Sequence, residues 1–179
     1  MTVFRDGREA ETVVLAFLDR YLQSEDGAAA AAQAGLVDAA PVLELRLVEP
    51  DAVLHVDFGA RRAALGPAPD TPGAVAEIQA DDLHDLLLDR LGPVEISRLG
   101  EEGRVRLDGP PPALAALLVL AGQIQPHYPA SLAEQGRDDL LATPMPEVGV
   151  IWGNDDPPPN LVGVRRQWQR PKGAATATS

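Results

Sequence analysis

Cysteine is absent from all 179 residues. That excludes a disulfide framework, a thiolate zinc site, an iron–sulfur cluster and a cysteine nucleophile. Lysine is nearly absent: Lys172 stands alone beside 14 arginines, and the 15 basic residues face 27 acidic ones, a net charge of −12. A chain so charged is repelled by phosphate backbones and anionic lipid heads, which argues against nucleic acid and membrane-surface partners. Long apolar runs are missing as well. The longest, Ala113 to Ala121, has nine residues, where a bilayer span needs about 20. The start, MTVFRDGREAETVV, has no basic stretch leading into an apolar one, and the end, ATATS, carries no organelle address. No signal peptide or membrane insertion is expected, and a soluble cytoplasmic protein is.

Catalytic motifs are missing too. There is no G-x-S-x-G, no Gly-rich phosphate loop, no H-E-x-x-H and no dinucleotide fingerprint. Of the four serines only Ser131 has a histidine near it in sequence, His127, and no G-x-S-x-G surrounds it. Nothing implies a cofactor.

What is abundant points to origin before function. The 28 alanines, the arginine excess and the 33 Gly and Pro residues are those that GC-rich codons favour. A high-GC bacterial genome is the simplest cause.

Glu9 to Gln23 reads as an amphipathic helix, with Val13, Val14, Phe17, Leu18 and Tyr21 at helical spacing. A second short helix is expected over Ala28 to Ala34, with Asp26 as N-cap and Gly35 at its end. The period then becomes two. Leu43, Leu45 and Leu47 alternate with Glu44 and Arg46 in Val42 to Val48, and Leu54, Val56 and Phe58 alternate with His55 and Asp57 in Val53 to Phe58. The turn Glu49-Pro50-Asp51-Ala52 joins them into a hairpin with one buried face. After the proline-rich loop Gly66 to Gly73, Ala74 to Ala80 reads as a third strand.

Asp81 or Asp82 is expected to cap the next helix, which has an apolar stripe of Leu83, Leu86, Leu87 and Leu91 and stops at Gly92-Pro93. Val94 to Leu99 and Arg104 to Asp108 read as two strands joined at Gly100-Glu101-Glu102-Gly103. A helix from about Ala113 to Ile124 and a polar helical segment, Ala130 to Leu141, follow. From Thr143 prolines interrupt any period, so a domain over residues 1–143 and a proline-rich tail over 144–179 are expected. The order of helix, helix, three strands, helix, two strands, helix implies α+β with a largely antiparallel or mixed sheet.

Three histidines are candidates for chemistry. His55 and Asp57 share one strand face and could form an acid–base pair, although the alternation favours a solvated outer face. His84 stands among Asp81, Asp82 and Asp85; carboxylates there suit a helix start, whereas a metal would need ligands that converge. His127 and Tyr128 lie in a rigid Gln-Pro-His-Tyr-Pro segment, either a structural corner or the mouth of a pocket. The helix Ala113 to Ile124 is apolar all round, so it needs cover on every side: from a core, from an apolar cavity, or from a partner chain such as a second copy.

Residues 74–124, and more loosely 9–125, resemble the sterol carrier protein type-two family. The stretch AEIQADDLHDLLLDRLGPVEISRLGEEGRVRLDG followed by PPPALAALLVLAG has that family's succession of strand, acidic helix start, leucine-rich helix, strand pair and apolar helix. Gly103-Arg104 and Gly109 fall where its paired glycines stand. The resemblance implies a five-stranded mixed, largely antiparallel sheet covered on one face by helices. Between the two it implies an apolar cavity for a hydrophobic small molecule: a fatty acyl chain, a sterol or a polyketide-like compound. Leu86, Leu87, Leu114, Leu117, Leu118 and Ile124 are the expected wall, with His127, Tyr128 and Trp152 at its opening. The function expected is carriage or presentation without catalysis. The alternative is an enzyme or accessory protein of bacterial biosynthesis that folds or isomerises a ligand in the same cavity. The strong acidity and the tail depart from the family pattern.

Overall fold

The computed structural model describes residues 2–143. The tail from 144 onward, with Trp152, lies outside the described residues.

Helix α1 (Gly7–Gln23) starts where Asp6 accepts a hydrogen bond from the Glu9 N–H at 2.8 Å. The Glu9 carboxylate reaches back to accept from the Arg5 N–H at 2.6 Å, so two orphan donors are satisfied reciprocally. Helix α2 (Glu25–Gln33) begins earlier than its alanines suggest. Its cap is Ser24, not Asp26: the Ser24 hydroxyl accepts from Gly27 N–H at 3.0 Å. A Cβ on Gly27 would overlap the Tyr21 carbonyl oxygen, so glycine permits the tight corner between the helices. Gly35, at φ 70°, ends this arm before the single turn α3 (Leu36–Ala39).

The strands are β1 (Val42–Val48), β2 (Ala52–Asp57), β3 (Arg62–Leu65), β4 (Ala74–Gln79) and β5 (Val105–Asp108). They form one sheet in the order β3-β2-β1-β4-β5. Strand β1 runs parallel to β4, and the other three pairs are antiparallel. This is the α+β, five-stranded mixed sheet expected, but one member differs. The stretch 94–99 is not a strand. It belongs to helix α5 (Pro93–Glu101), where Pro93 occupies the first turn and loses nothing by lacking an N–H. The Gly100–Gly103 segment is accordingly a helix end rather than a hairpin, and Gly103, at φ 72°, turns the chain into β5. The fifth strand is supplied by β3, just before the proline-rich loop, in a stretch to which no element is assigned from the sequence.

Helix α4 (Ala80–Leu87) follows β4 directly. No side chain caps it. Asp81 instead accepts from the Val3 N–H at 2.8 Å, and Asp82 accepts from Arg104 Nη2 at 2.7 Å. Both are spent on tertiary ties. Helix α6 (Pro111–Ile124) leads through a 3-10 turn (Gln125–His127) into α7 (Tyr128–Glu134) and α8 (Asp138–Leu141). The polar segment is therefore two short helices, broken at Gly136 with φ 69°.

The helices cover the leucine face of the sheet. Val13, Phe17, Leu120 and Tyr128 join Leu43, Leu45, Leu54 and Val56 in one core. The opposite face carries Glu44, Arg46, His55, Glu77 and Arg106.

Candidate functional site

Directly opposed residues in adjacent strands share a side of the sheet. The registers therefore draw apolar rows across the helix-facing side. Ala63–Val56–Leu43–Ala74 is one row and Ala52–Leu47–Ile78–Val105 another. Between them runs Leu65–Leu54–Leu45–Ala76–Leu107, from one edge of the sheet to the other. Its centre is sealed, with Leu54 fully buried, while its ends stand open: Leu65 is 53% exposed and Leu107 39%. No charged side chain interrupts it.

The leucines singled out from the sequence divide around this surface. Leu87 and Ile124 are buried in the core, and Leu86 and Leu117 pack against it half-buried. Leu114 is also half-buried. Leu118 is the exception, 60% exposed on the side of α6 turned away from Leu120 and Ile124. Helix α6 is apolar all round but covered on one side only: Ala113, Ala116, Leu120 and Ile124 face inward. Full cover was expected from its composition. The described fold supplies half of it, where α2 and α3 pack against the helix.

A groove of about 590 Å³ lies between α1 and β3, the edge strand of the sheet among the described residues. Leu15, Ala16, Ala63 and Leu65 give it an apolar floor, and Arg8, Glu11, Thr12, Asp19 and Arg62 form its rim. Asp19 accepts from the Ala63 N–H at 3.1 Å, which ties helix to strand edge. Leu65 thus joins the groove to the central apolar row. None of the leucines of α4 or α6 lines this groove, and its existence depends on β3, which no sequence signal marks. A smaller groove, about 170 Å³, lies between α1 and α7 and includes His127, Tyr21, Ser24 and Ser131. The rings of His127 and Tyr21 meet at 5.0 Å.

Tyr128, adjacent to His127, is not at an opening. It is fully buried, its ring 4.9 Å from that of Phe17. His84 is also fully buried, so it does not belong to the solvated acidic helix start expected for it. Its Nε2 donates to the Leu140 carbonyl at 3.1 Å, which fixes the tautomer and leaves Nδ1 to accept from the Tyr128 hydroxyl at 3.0 Å. Burial pushes the His84 pKa down to about 4 and raises that of Tyr128. Neutral and locked, the pair holds α4, α7 and α8 together. Arg90 donates to Thr143 at 2.7 Å and to Asp85 at 3.2 Å beside it.

On the other face His55 contacts the Gly66 carbonyl at 3.1 Å and stands opposite Glu44, while Asp57 accepts from Ala60 N–H at 2.7 Å. His55 and Asp57 are thus engaged separately. The Ala68 N–H and Arg46 hold the Glu44 pKa below its ordinary value. Among the described residues no three His, Asp or Glu side chains converge as a metal would require, and no helix is long and apolar enough to cross a membrane.

No family model matches the chain, and neither does any curated protein. Solved structures do. The sterol carrier protein domain 2 of Helicoverpa armigera superposes with a TM-score of 0.50 at 12% identity, over 65% of this chain and 89% of that one. Sterol carrier protein 2 from Yarrowia lipolytica, in its apo form, gives 0.48 at 16% identity over 70% and 98%. At such identities the likeness is one of architecture: the chain has the fold of a sterol carrier protein type-two domain.

Proposed function

We propose that the protein is a cytoplasmic carrier that holds a lipid-like or polycyclic hydrophobic molecule against the helix-facing side of its sheet. The observation that carries this reading is the central row Leu65–Leu54–Leu45–Ala76–Leu107, uncharged along its length and open at both edges. A ligand needs two things from such a surface, an apolar wall and a way in. Leu86, Leu114 and Leu117, all half-buried on the helix layer, are proposed as the wall that meets the guest. The groove at Leu65 offers entry, with Arg8 and Arg62 on its rim.

Affinity in this reading comes from area. Removing about 250 Å² of ligand surface from water supplies roughly 6 kcal/mol before association costs. Few polar groups are needed, so catalytic motifs are not. The enzymatic alternative draws no comparable support. Tyr128, one of its first candidates, is buried with its hydroxyl committed to His84. The tail from 144 is proposed as a separate element after the carrier domain.

Native mass spectrometry of protein purified from its own host, followed by denaturing extraction, tests the proposal. A co-purified lipid-like mass is expected. Clean apo-protein that turns over a pathway intermediate would sink the carrier and favour the enzyme.

A further inference from the structure

From Gly109 to Ala133 the chain runs 25 residues without an Asp, Glu, Lys or Arg, in a protein that is 23% charged. Helix α6 lies inside this stretch and is bare on one side. Ala115, Leu118, Val119 and Gly122 are exposed there, Leu118 at 60% and Val119 at 50%. We infer that this face docks the protein reversibly on the surface of a neutral, zwitterionic lipid bilayer.

Size and charge select that occupant. A helix of 14 residues is about 21 Å long, and one face about 10 Å wide offers on the order of 200 Å². A stable protein–protein interface takes about 800 Å² from each partner, so α6 alone is too small a seam for a second copy. Binding to a lipid surface scales with the apolar area buried, so a face of this size suffices for weak, reversible docking. The helix is also too short to cross a bilayer, which leaves it lying in the interface. Charge then decides the kind of lipid. At −12 the protein is repelled by anionic headgroups, and α6 brings no cation to offset this. Against zwitterionic headgroups that repulsion vanishes. Within α6 no charged side chain flanks Leu118 and Val119. The charge that argues against membranes in general thus argues only against anionic ones.

The docking face is distinct from the carrier surface, and its test needs no cargo. Full-length protein is floated with phosphatidylcholine vesicles, and separately with an equal mixture of phosphatidylcholine and phosphatidylglycerol. Flotation is expected with the first and is much weaker with the second. Leu118→Glu with Val119→Glu lowers the bound fraction about ten-fold or more, with an unchanged far-UV spectrum because both side chains are already exposed. Ala115→Glu, on the same face, provides a second variant with the same expected loss. The inference is overturned if wild-type protein stays with the buffer, or if the variants float equally well. It is also overturned if wild type is a dimer that the variants split, which would make a second copy the occupant. Trp152 and Trp168 are the only tryptophans and both lie in the tail. A change in their emission on Leu118→Glu, with no vesicle binding by wild type, would assign the face to the protein's own tail. Failure to co-purify a lipid would leave all these outcomes unchanged.

Discussion

His84 and Tyr128 stand 44 positions apart in the chain and share a buried hydrogen bond of 3.0 Å. The bond requires a neutral imidazole, because Nδ1 must accept while Nε2 donates to Leu140. Acid therefore attacks the fold at this point. The unfolded chain protonates His84 near 6.5, the folded chain only near 4. Between those values the unfolded state holds the extra proton, so stability falls as pH is lowered through the window and the loss levels off below it. The full loss is of the order of 3 kcal/mol. Glu9 steepens the fall at the acid end. Burial opposes its charge, but hydrogen bonds from Arg5 and the charge of Arg137 prevail and keep its pKa below the ordinary 4.5. Urea midpoints from pH 7 to pH 4 check this, and His84→Gln should flatten the slope; an equally steep slope in that variant would assign the effect elsewhere.

Removing only the hydroxyl isolates the bond itself. Tyr128→Phe keeps the ring on Phe17 but leaves Nδ1 without a donor. A loss of about 1–3 kcal/mol in chemical denaturation is expected. No loss would mean that water replaces the hydroxyl.

The α1–α2 corner gives a steric prediction. Gly27→Ala forces a methyl group onto the Tyr21 carbonyl and should cost about 3 kcal/mol. Gly35→Ala meets no atom within 4 Å but must keep φ near 70°, for about 1 kcal/mol. Thermal melts that reverse this order would show that the corner opens freely.

Uptake of a fluorescent fatty acid tests the apolar surface. Leu117→Trp fills the half-buried position on α6 and should abolish uptake while the far-UV spectrum stays native. If the variant unfolds and wild type takes up no probe, α6 is ordinary core.

A gel shift with duplex DNA at physiological salt should show no complex, given a charge of −12. Micromolar binding at that salt would overturn this expectation.

The alternation of Leu43, Leu45 and Leu47 with Glu44 and Arg46 was enough to place β1 and its buried face, because period two has one physical meaning over seven residues. Two elements were opaque for opposite reasons. In 94–99 the alternation of Val94 and Ile96 with Glu95 and Ser97 imitates a strand, yet Val94 is 61% exposed and only Leu99 is buried. Pro93 held the information, as a residue that opens a helix as readily as it closes one. Strand β3, Arg-Ala-Ala-Leu, has no pattern of its own and exists because β2 offers it an edge. The site divides likewise. Leu86, Leu87, Leu114, Leu117, Leu118 and Ile124 were expected as one wall, but spacing could not say which side of a wholly apolar α6 would be bare, and Leu118 is on that side. His84 was misplaced because its three aspartate neighbours suggested solvent, while its partners arrive from residues 128 and 140, beyond the reach of local spacing.

The ion pair between Glu9 and Arg137, 2.7 Å long, closes the helix layer across nearly the whole described chain. During synthesis Glu9 leaves the ribosome 128 residues before Arg137 does. Until about residue 140 emerges, Val13, Phe17 and Tyr21 have no finished core to enter, and β1 must wait for residue 74 to find its parallel neighbour. Contacts so distant in sequence make for slow completion. The apolar face of the amphipathic α1 can close early on α2, β2 and β3, but its last cover waits for α7, and a nascent chain with part of its core uncovered in the meantime is a natural client for chaperones that bind at the ribosomal exit.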